Sequence, residues 1–241
     1  MQYVIGEIIL VVIGILIALS INNWNEASKN EALGTNYLIR ISKDLENDLL
    51  EFDDAHKLAQ QRKHRVSFLQ EAINKPELVL DSTSYFIQSI ITAGYTFNPT
   101  ISNHSFEELK SSGRLALIED EKLRVSIAKY YDFAFNHTQW DFLSKDTQLK
   151  YNEYLRGILN QEQLNWVLSN YYDPELPFEI SKRELDDIYQ RFKSKKDFHY
   201  ILQQTYSDKH EAIQYMLSAM KSAEDLKQEI LDELSTNSKN E

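Results

Sequence analysis

From Val4 to Trp24 the chain reads VIGEIILVVIGILIALSINNW, apolar at nearly every position and broken by one early carboxylate, Glu7. Beyond Glu31 the pattern changes. Leu38, Ile41, Leu45, Leu49, Phe52, His56, Ala59, Val66, Leu69 and Ile73 recur at spacings of three and four, which predicts one amphipathic helix from about Glu31 to Asn74. Lys75-Pro76 ends it, because a residue before proline is pushed out of helical backbone. A second helix is expected from Ser82 to Ala93. Ser105 with Glu108 reads as a capping box, and Gly113 as the residue that closes that short helix. A longer helix is predicted from Glu119-Asp120 to about Leu159, and a short one around Leu164, Trp166 and Leu168. In YYDPELPF, Pro174 and Pro177 forbid regular helix. Ser181 with Glu184 forms a second capping box, opening a helix to about Phe192, and a last long helix runs from Asp197 to Leu234.

The first run has the dimensions of a membrane span. Tyr3 and Trp24 are 21 residues apart, about 31 Å at the helical rise and close to the roughly 30 Å of a hydrocarbon core. An aromatic stands at each end, as at a bilayer interface. Ala18-Leu19-Ser20 loosely fits a signal-peptidase site, but the apolar run is too long for a signal peptide and no basic region precedes it. Glu7 lies near enough to the end of the run to snorkel to the headgroups. Glu7, Gly14 and Ala18 also fall within about 40° of one another at 100° per residue, and Gly14-x-x-x-Ala18 is a small-xxx-small pair of the kind that lets helices pack in lipid.

Composition narrows the function classes. The chain has 241 residues and is 42% hydrophobic, enough to build a core beyond the apolar run. Its formal net charge of -11 opposes contact with polyphosphate, so nucleic acid is not an expected partner. With no cysteine there is no disulfide, thiolate metal site or thiol nucleophile. Six glycines and four prolines favour long helices over hairpins.

Candidate chemistry is sparse. Asp53 with His56, His137 with Asp141, and Asp208 to Glu211 around His210 have helical metal-ligand spacing, but each is a two-residue coincidence and no metal or other cofactor is expected. No G-x-S-x-G, P-loop or dinucleotide fingerprint occurs. Tyr130, Tyr131, Phe133, Phe135 and Trp140 spread around one helix, part core and part groove lining. The basic clusters QRKHR at Gln61 to Arg65 and RFKSKK at Arg191 to Lys196 read as solvated faces, within reach of anionic headgroups if the domain lies near them.

The stretches IGEIILVVIGILIALSINNWNE at Ile5 to Glu26 and FEELKSSGRLALIEDEKLRVSIAKYY at Phe106 to Tyr131 resemble a domain-of-unknown-function family of single-pass membrane proteins widespread in Bacteroidota. The resemblance implies an inner-membrane anchor carrying a helical domain, and supplies no catalytic residue, substrate or cofactor. Members usually carry a basic stretch ahead of the span, whereas here Met1-Gln2 stand directly on it. Lys29 and Arg40 alone would weakly favour a cytoplasmic C-terminal part, while the resemblance puts it in the periplasm, and the expectation follows the resemblance.

The resulting expectation is an all-α protein, with an N-terminal transmembrane helix continuing into an elongated helical bundle. Residues 1–26 form the anchor, 27–235 the bundle and 236–241 a disordered tail. The expected function is a non-enzymatic scaffold or interaction module of the cell envelope. Its partners are the lipid bilayer and either a second copy of the chain or another envelope protein. The alternative is a small-molecule sensor acting through a membrane partner.

Overall fold

A computed structural model describes the backbone of residues 2–135, 138–170 and 179–237, and the side chains of these except 2–9, 135 and 138–143. Among the described residues the chain is all-α. The first helix, α1, is Gln2–Ala72 and joins the apolar run to the amphipathic stretch without a break. Then follow α2 (Pro76–Asp81), α3 (Thr83–Thr92), α4 (His104–Ser111), a 3-10 turn at Leu115–Leu117, α5 (Glu121–Phe135) and α6 (Thr138–Leu155). The last three are α7 (Gln161–Ser169), α8 (Lys182–Lys193) and α9 (Phe198–Asn237).

Several boundaries differ from the expectation for local reasons. Proline at N1 starts a separate helix, α2, ahead of α3. The expected helix from Glu119 to Leu159 is described as α5 and α6, with residues 136–137 outside the described set. Asp120 starts α5: its Oδ1 accepts from the backbone N–H of Lys122 at 2.6 Å and of Leu123 at 3.2 Å. At the far end α9 runs to Asn237, past the expected start of the tail, and residues 238–241 lie outside the described set. The Pro174–Pro177 loop also lies outside it.

The folded part divides into two compact units. Unit 1 comprises 1–47, 101–132 and 223–241; unit 2 comprises 48–100 and 133–222. In unit 1 the buried face of α1 starts at Gly34 and continues through Tyr37, Leu38, Ile41 and Leu45. A Cβ on Gly34 would run into the backbone oxygen of Leu117, so glycine lets the 3-10 turn lie directly on the helix. Phe106 of α4 stacks on Tyr131 of α5 with ring centroids 4.5 Å apart.

Unit 2 has an aromatic core. Phe86, Phe192 and Phe198 meet edge-on in series at 5.3 and 5.6 Å, and Tyr151 packs on Phe198 at 5.5 Å. The Tyr151 hydroxyl donates to Ile90 O at 2.9 Å, which satisfies the polar end of a fully buried ring. The Tyr189 hydroxyl donates to Ala72 O at 3.0 Å and Ile73 O at 3.1 Å, so α8 satisfies carbonyls that α1 leaves orphaned at its end.

Candidate functional site

The structure redistributes the residues singled out from sequence. Glu7 lies outside the described side chains. Gly14 and Ala18 are exposed on α1, and a Cβ on Gly14 would meet nothing within 4 Å. The Ser105–Glu108 capping box is not formed. The helix starts two residues earlier, at His104 with Asn103 as N-cap in place of Ser105, which carries Ser105 into the first turn, where it is buried. Its backbone N–H donates to Asp44 Oδ2 at 3.3 Å. Glu108 instead accepts from Arg40 Nη2 at 2.6 Å and from the Tyr37 hydroxyl at 2.9 Å. These hydrogen bonds, Arg40's first, hold its carboxyl below the usual carboxylate value.

Gly113 has φ +70°. Its N–H donates to Lys110 O at 3.1 Å, and that of Arg114 to Leu109 O at 3.0 Å, the paired bonds of a Schellman motif. The Ser181–Glu184 capping box is present in full, as is one at Asn160–Gln163 that the sequence reading missed.

Of the paired metal-type residues, Asp53 is held by Lys57 at 2.5 Å, while His56 Nε2 lies 3.2 Å from the Gln60 amide. His210 Nδ1 lies 3.1 Å from Lys63 Nζ. No group of three metal-type side chains gathers among the described residues. His137 and Trp140 are outside the described side chains. Tyr130 and Tyr131 are core, and Phe133 meets Tyr215 at 5.4 Å.

Of the basic clusters read as solvated faces, Arg62 is the residue that is corrected, while Lys193 and Lys196 are exposed as expected. In QRKHR, Arg62 is buried, Lys63 lies over the Tyr206 ring at 4.8 Å and Arg65 over the Tyr85 ring at 4.9 Å. In RFKSKK, Lys195 donates to Arg156 O at 2.5 Å and Arg191 to Gly157 O at 3.5 Å, so this cluster closes the C-terminal end of α6.

Arg62 leads to a group of buried polar side chains in unit 2. With Asp208, Lys209 and Ser144 it lines a cavity of about 10 Å³, space for about one water molecule. Ala55, Ala59, Ala212 and Met216 form apolar parts of the wall. Arg62 is 7% exposed, Lys209 4% and Asp208 9%. Asp208 Oδ1 accepts from Gln204 at 2.8 Å; its Oδ2 is buried without a hydrogen-bond partner among the described residues. Burial, and then the neighbouring Arg62 guanidinium, lower the Lys209 amine to about 7, against a smaller opposing pull from Asp208. Ser144 and Asp208 also line a groove of about 520 Å³ that includes Tyr200, Gln204 and Glu211.

A signal for this site was present in the sequence. Arg62 stands three residues after Ala59 and four before Val66, on the apolar stripe of α1. Lys209 stands four after Thr205 and three before Ala212, on that of α9. A charge in phase with a core stripe is the feature that periodicity can reveal and composition cannot.

Residues 7–157 match the profile of a family of unknown function, DUF6090, and the chain belongs to that family. The match takes in all of the second stretch on which the resemblance rests and all of the first but Ile5 and Gly6; it includes Arg62 and Ser144 but ends before Asp208 and Lys209. No curated protein and no solved structure matches the chain.

Proposed function

We propose that the chain is a membrane-anchored helical interaction module, non-enzymatic, held in the cytoplasmic membrane by residues 1–26 with its folded part on the periplasmic side. The observation that supports this reading is the surface of α1 ahead of Gly34. Every described residue from Leu10 to Leu33 is exposed, including Ile21 at 60% and Trp24 at 74%. Its apolar part, Leu10 to Ile21, is a contiguous apolar surface that is costly in water and favourable in lipid. The same helix then continues into the fold. The periplasmic placement follows the expected topology of the resembling family.

On this reading the full-length chain stays with membranes through an alkaline carbonate wash; its release into the supernatant would overturn the anchor. External protease should digest the folded part in spheroplasts, and protection there would reverse the orientation. The partner is a second copy of the chain, meeting it along Gly14 and Ala18. Gly14→Leu should weaken association in a membrane two-hybrid assay, because a bulky side chain props two backbones apart. Ile13→Leu, about 100° round the helix, should not. Equal association by the two variants would sink self-contact through this face.

A further inference from the structure

We propose that a groove in unit 2, where the end of α1 meets the end of α8 and the start of α9, binds a small organic anion: an acidic head group carried on an apolar body. This goes beyond the anchoring reading and stands or falls independently of it.

The groove has a volume of about 540 Å³, inside the range of roughly 300–1,000 Å³ usual for small-molecule sites. Its inner wall is apolar. Ile73, Phe192 and Phe198 line it, and the two phenylalanine rings, both buried, meet edge-on with centroids 5.6 Å apart. The Tyr189 hydroxyl fixes α8 to the end of α1 through Ala72 O and Ile73 O, so this wall is set by the fold before any ligand arrives.

The polar lining has one sign. Lys193, Lys195 and His199 face the groove and no carboxylate among the described residues does, in a chain with 37 acidic residues against 26 lysines and arginines. Glu71, next to the lining in sequence, is paired instead with Lys75 at 3.1 Å. Both lysines are also held in place. Lys195 gives one N–H to Arg156 O at 2.5 Å, which leaves the rest of its ammonium for a ligand, and Lys193 Nζ stands 6.0 Å from the centre of the Tyr189 ring. His199 offers an N–H in either tautomer, and the side-chain amides of Gln70, Asn74 and Gln203 add further donors. A cation would meet charge of its own sign here. A neutral apolar molecule would leave the ammonium groups without a counter-charge, and a bare inorganic anion would leave the phenylalanine wall in water. An acidic head on an apolar body satisfies both.

The test follows the histidine signals of the full chain in detergent by NMR at neutral pH, with 13C-labelled histidine and the His199 signal assigned through His199→Asn. The probes are 3-phenylpropionate and phenyl phosphate, which separate a carboxylate from a phosphate head, and 3-phenylpropanamide, which keeps the ring and removes the charge. At least one acid should shift the His199 signal saturably, with a dissociation constant of about 1 mM or tighter. The signals of His56 and His104, which do not line the groove, should stay in place. The amide should bind at least about tenfold more weakly, having lost its charge-assisted hydrogen bonds. Lys193→Gln combined with Lys195→Gln, its fold checked by circular dichroism, should weaken the acid by a similar factor. No saturable shift at His199, equal binding of amide and acid, or equal movement of all histidine signals would overturn the proposal. So would unchanged affinity in the folded double variant. If that variant fails to fold, the wild-type comparison of acid with amide alone decides.

Discussion

Units 1 and 2 both use an arginine of α1 within a cluster of charged groups, and they treat it in opposite ways. In unit 1, Arg40 pairs with Glu108 at 2.6 Å, with both side chains partly open to water at 39% and 51% exposure. Tyr37 adds a second hydrogen bond to the same carboxylate. In unit 2, buried Arg62 lines a cavity with a second basic group, Lys209, and a carboxylate oxygen that has no hydrogen-bond partner among the described residues. A water-exposed, matched pair costs little to assemble and contributes little. A buried charged cluster carries a desolvation cost that a water-exposed pair does not, and a fold that retains it is using it for something else or has no cheaper packing there. The difference separates charges that tie helices together from charges that form a site.

The largest effect should come from Lys209→Met, which keeps the length of the side chain and removes its charge. The folded amine titrates near 7 and the unfolded one near 10.5. Between those values the unfolded state binds more protons, so wild-type stability rises with pH across the window and is lost as pH falls towards 7. The penalty at neutral pH has an upper bound of roughly 5 kcal/mol at about 1.4 kcal/mol per pH unit. Lys209→Met should therefore melt at a higher temperature than wild type at neutral pH, with the gap closing towards pH 10.5. Thermal melts across that range check this. A variant less stable than wild type at neutral pH would show that the amine contributes attraction rather than cost, and would collapse the contrast between the units.

How far each unit was legible follows from the same contrast. Helix starts set by local chemistry could be read directly, as at Ser181 with Glu184, because a capping box needs only neighbours. Ser105 with Glu108 has the same spacing and failed, since Glu108 is taken by Tyr37 and Arg40, about 70 residues away in sequence. The stripe on α1 was read in nearly the right register. The pattern points to His56, whereas the buried residue is Ala55 at 2%, and it leaves out Arg62 because a charge is ordinarily assigned to solvent. Lys209 was hidden by the same assumption. Its altered basicity comes first from burial and then from Arg62, 147 positions earlier, and both are conditions that only the fold creates.

A smaller effect belongs to the turn that follows the helix bearing Glu108. Gly113 holds φ +70°, backbone that costs a residue with a Cβ about 1 kcal/mol or somewhat more. Gly113→Val should lower the melting temperature by a few degrees, while Ser111→Val, on the exposed helical turn just before, should lower it less. Equal losses would remove the argument that this turn is set by backbone conformation.

The smallest effect is expected from Glu108→Gln, and its dependence on conditions is more telling than its size. The folded Glu108 carboxyl titrates below its usual value of 4.5, chiefly through the Arg40 hydrogen bond. A depressed carboxyl contributes stability that is present above its unfolded value and disappears as pH falls through its folded one. The gap between wild type and Glu108→Gln should thus be open at neutral pH and close in acid. Because the pair is exposed, salt should narrow it as well, since screening acts over about 8 to 10 Å at ordinary ionic strength. Melts of both chains at neutral and acidic pH, each at low and high salt, measure this directly. A gap that survives both acid and salt would mean that the Glu108 side chain packs rather than pairs. By contrast, the Lys209→Met gap should hardly respond to salt, because a charge that water does not reach is not screened by the ions dissolved in it.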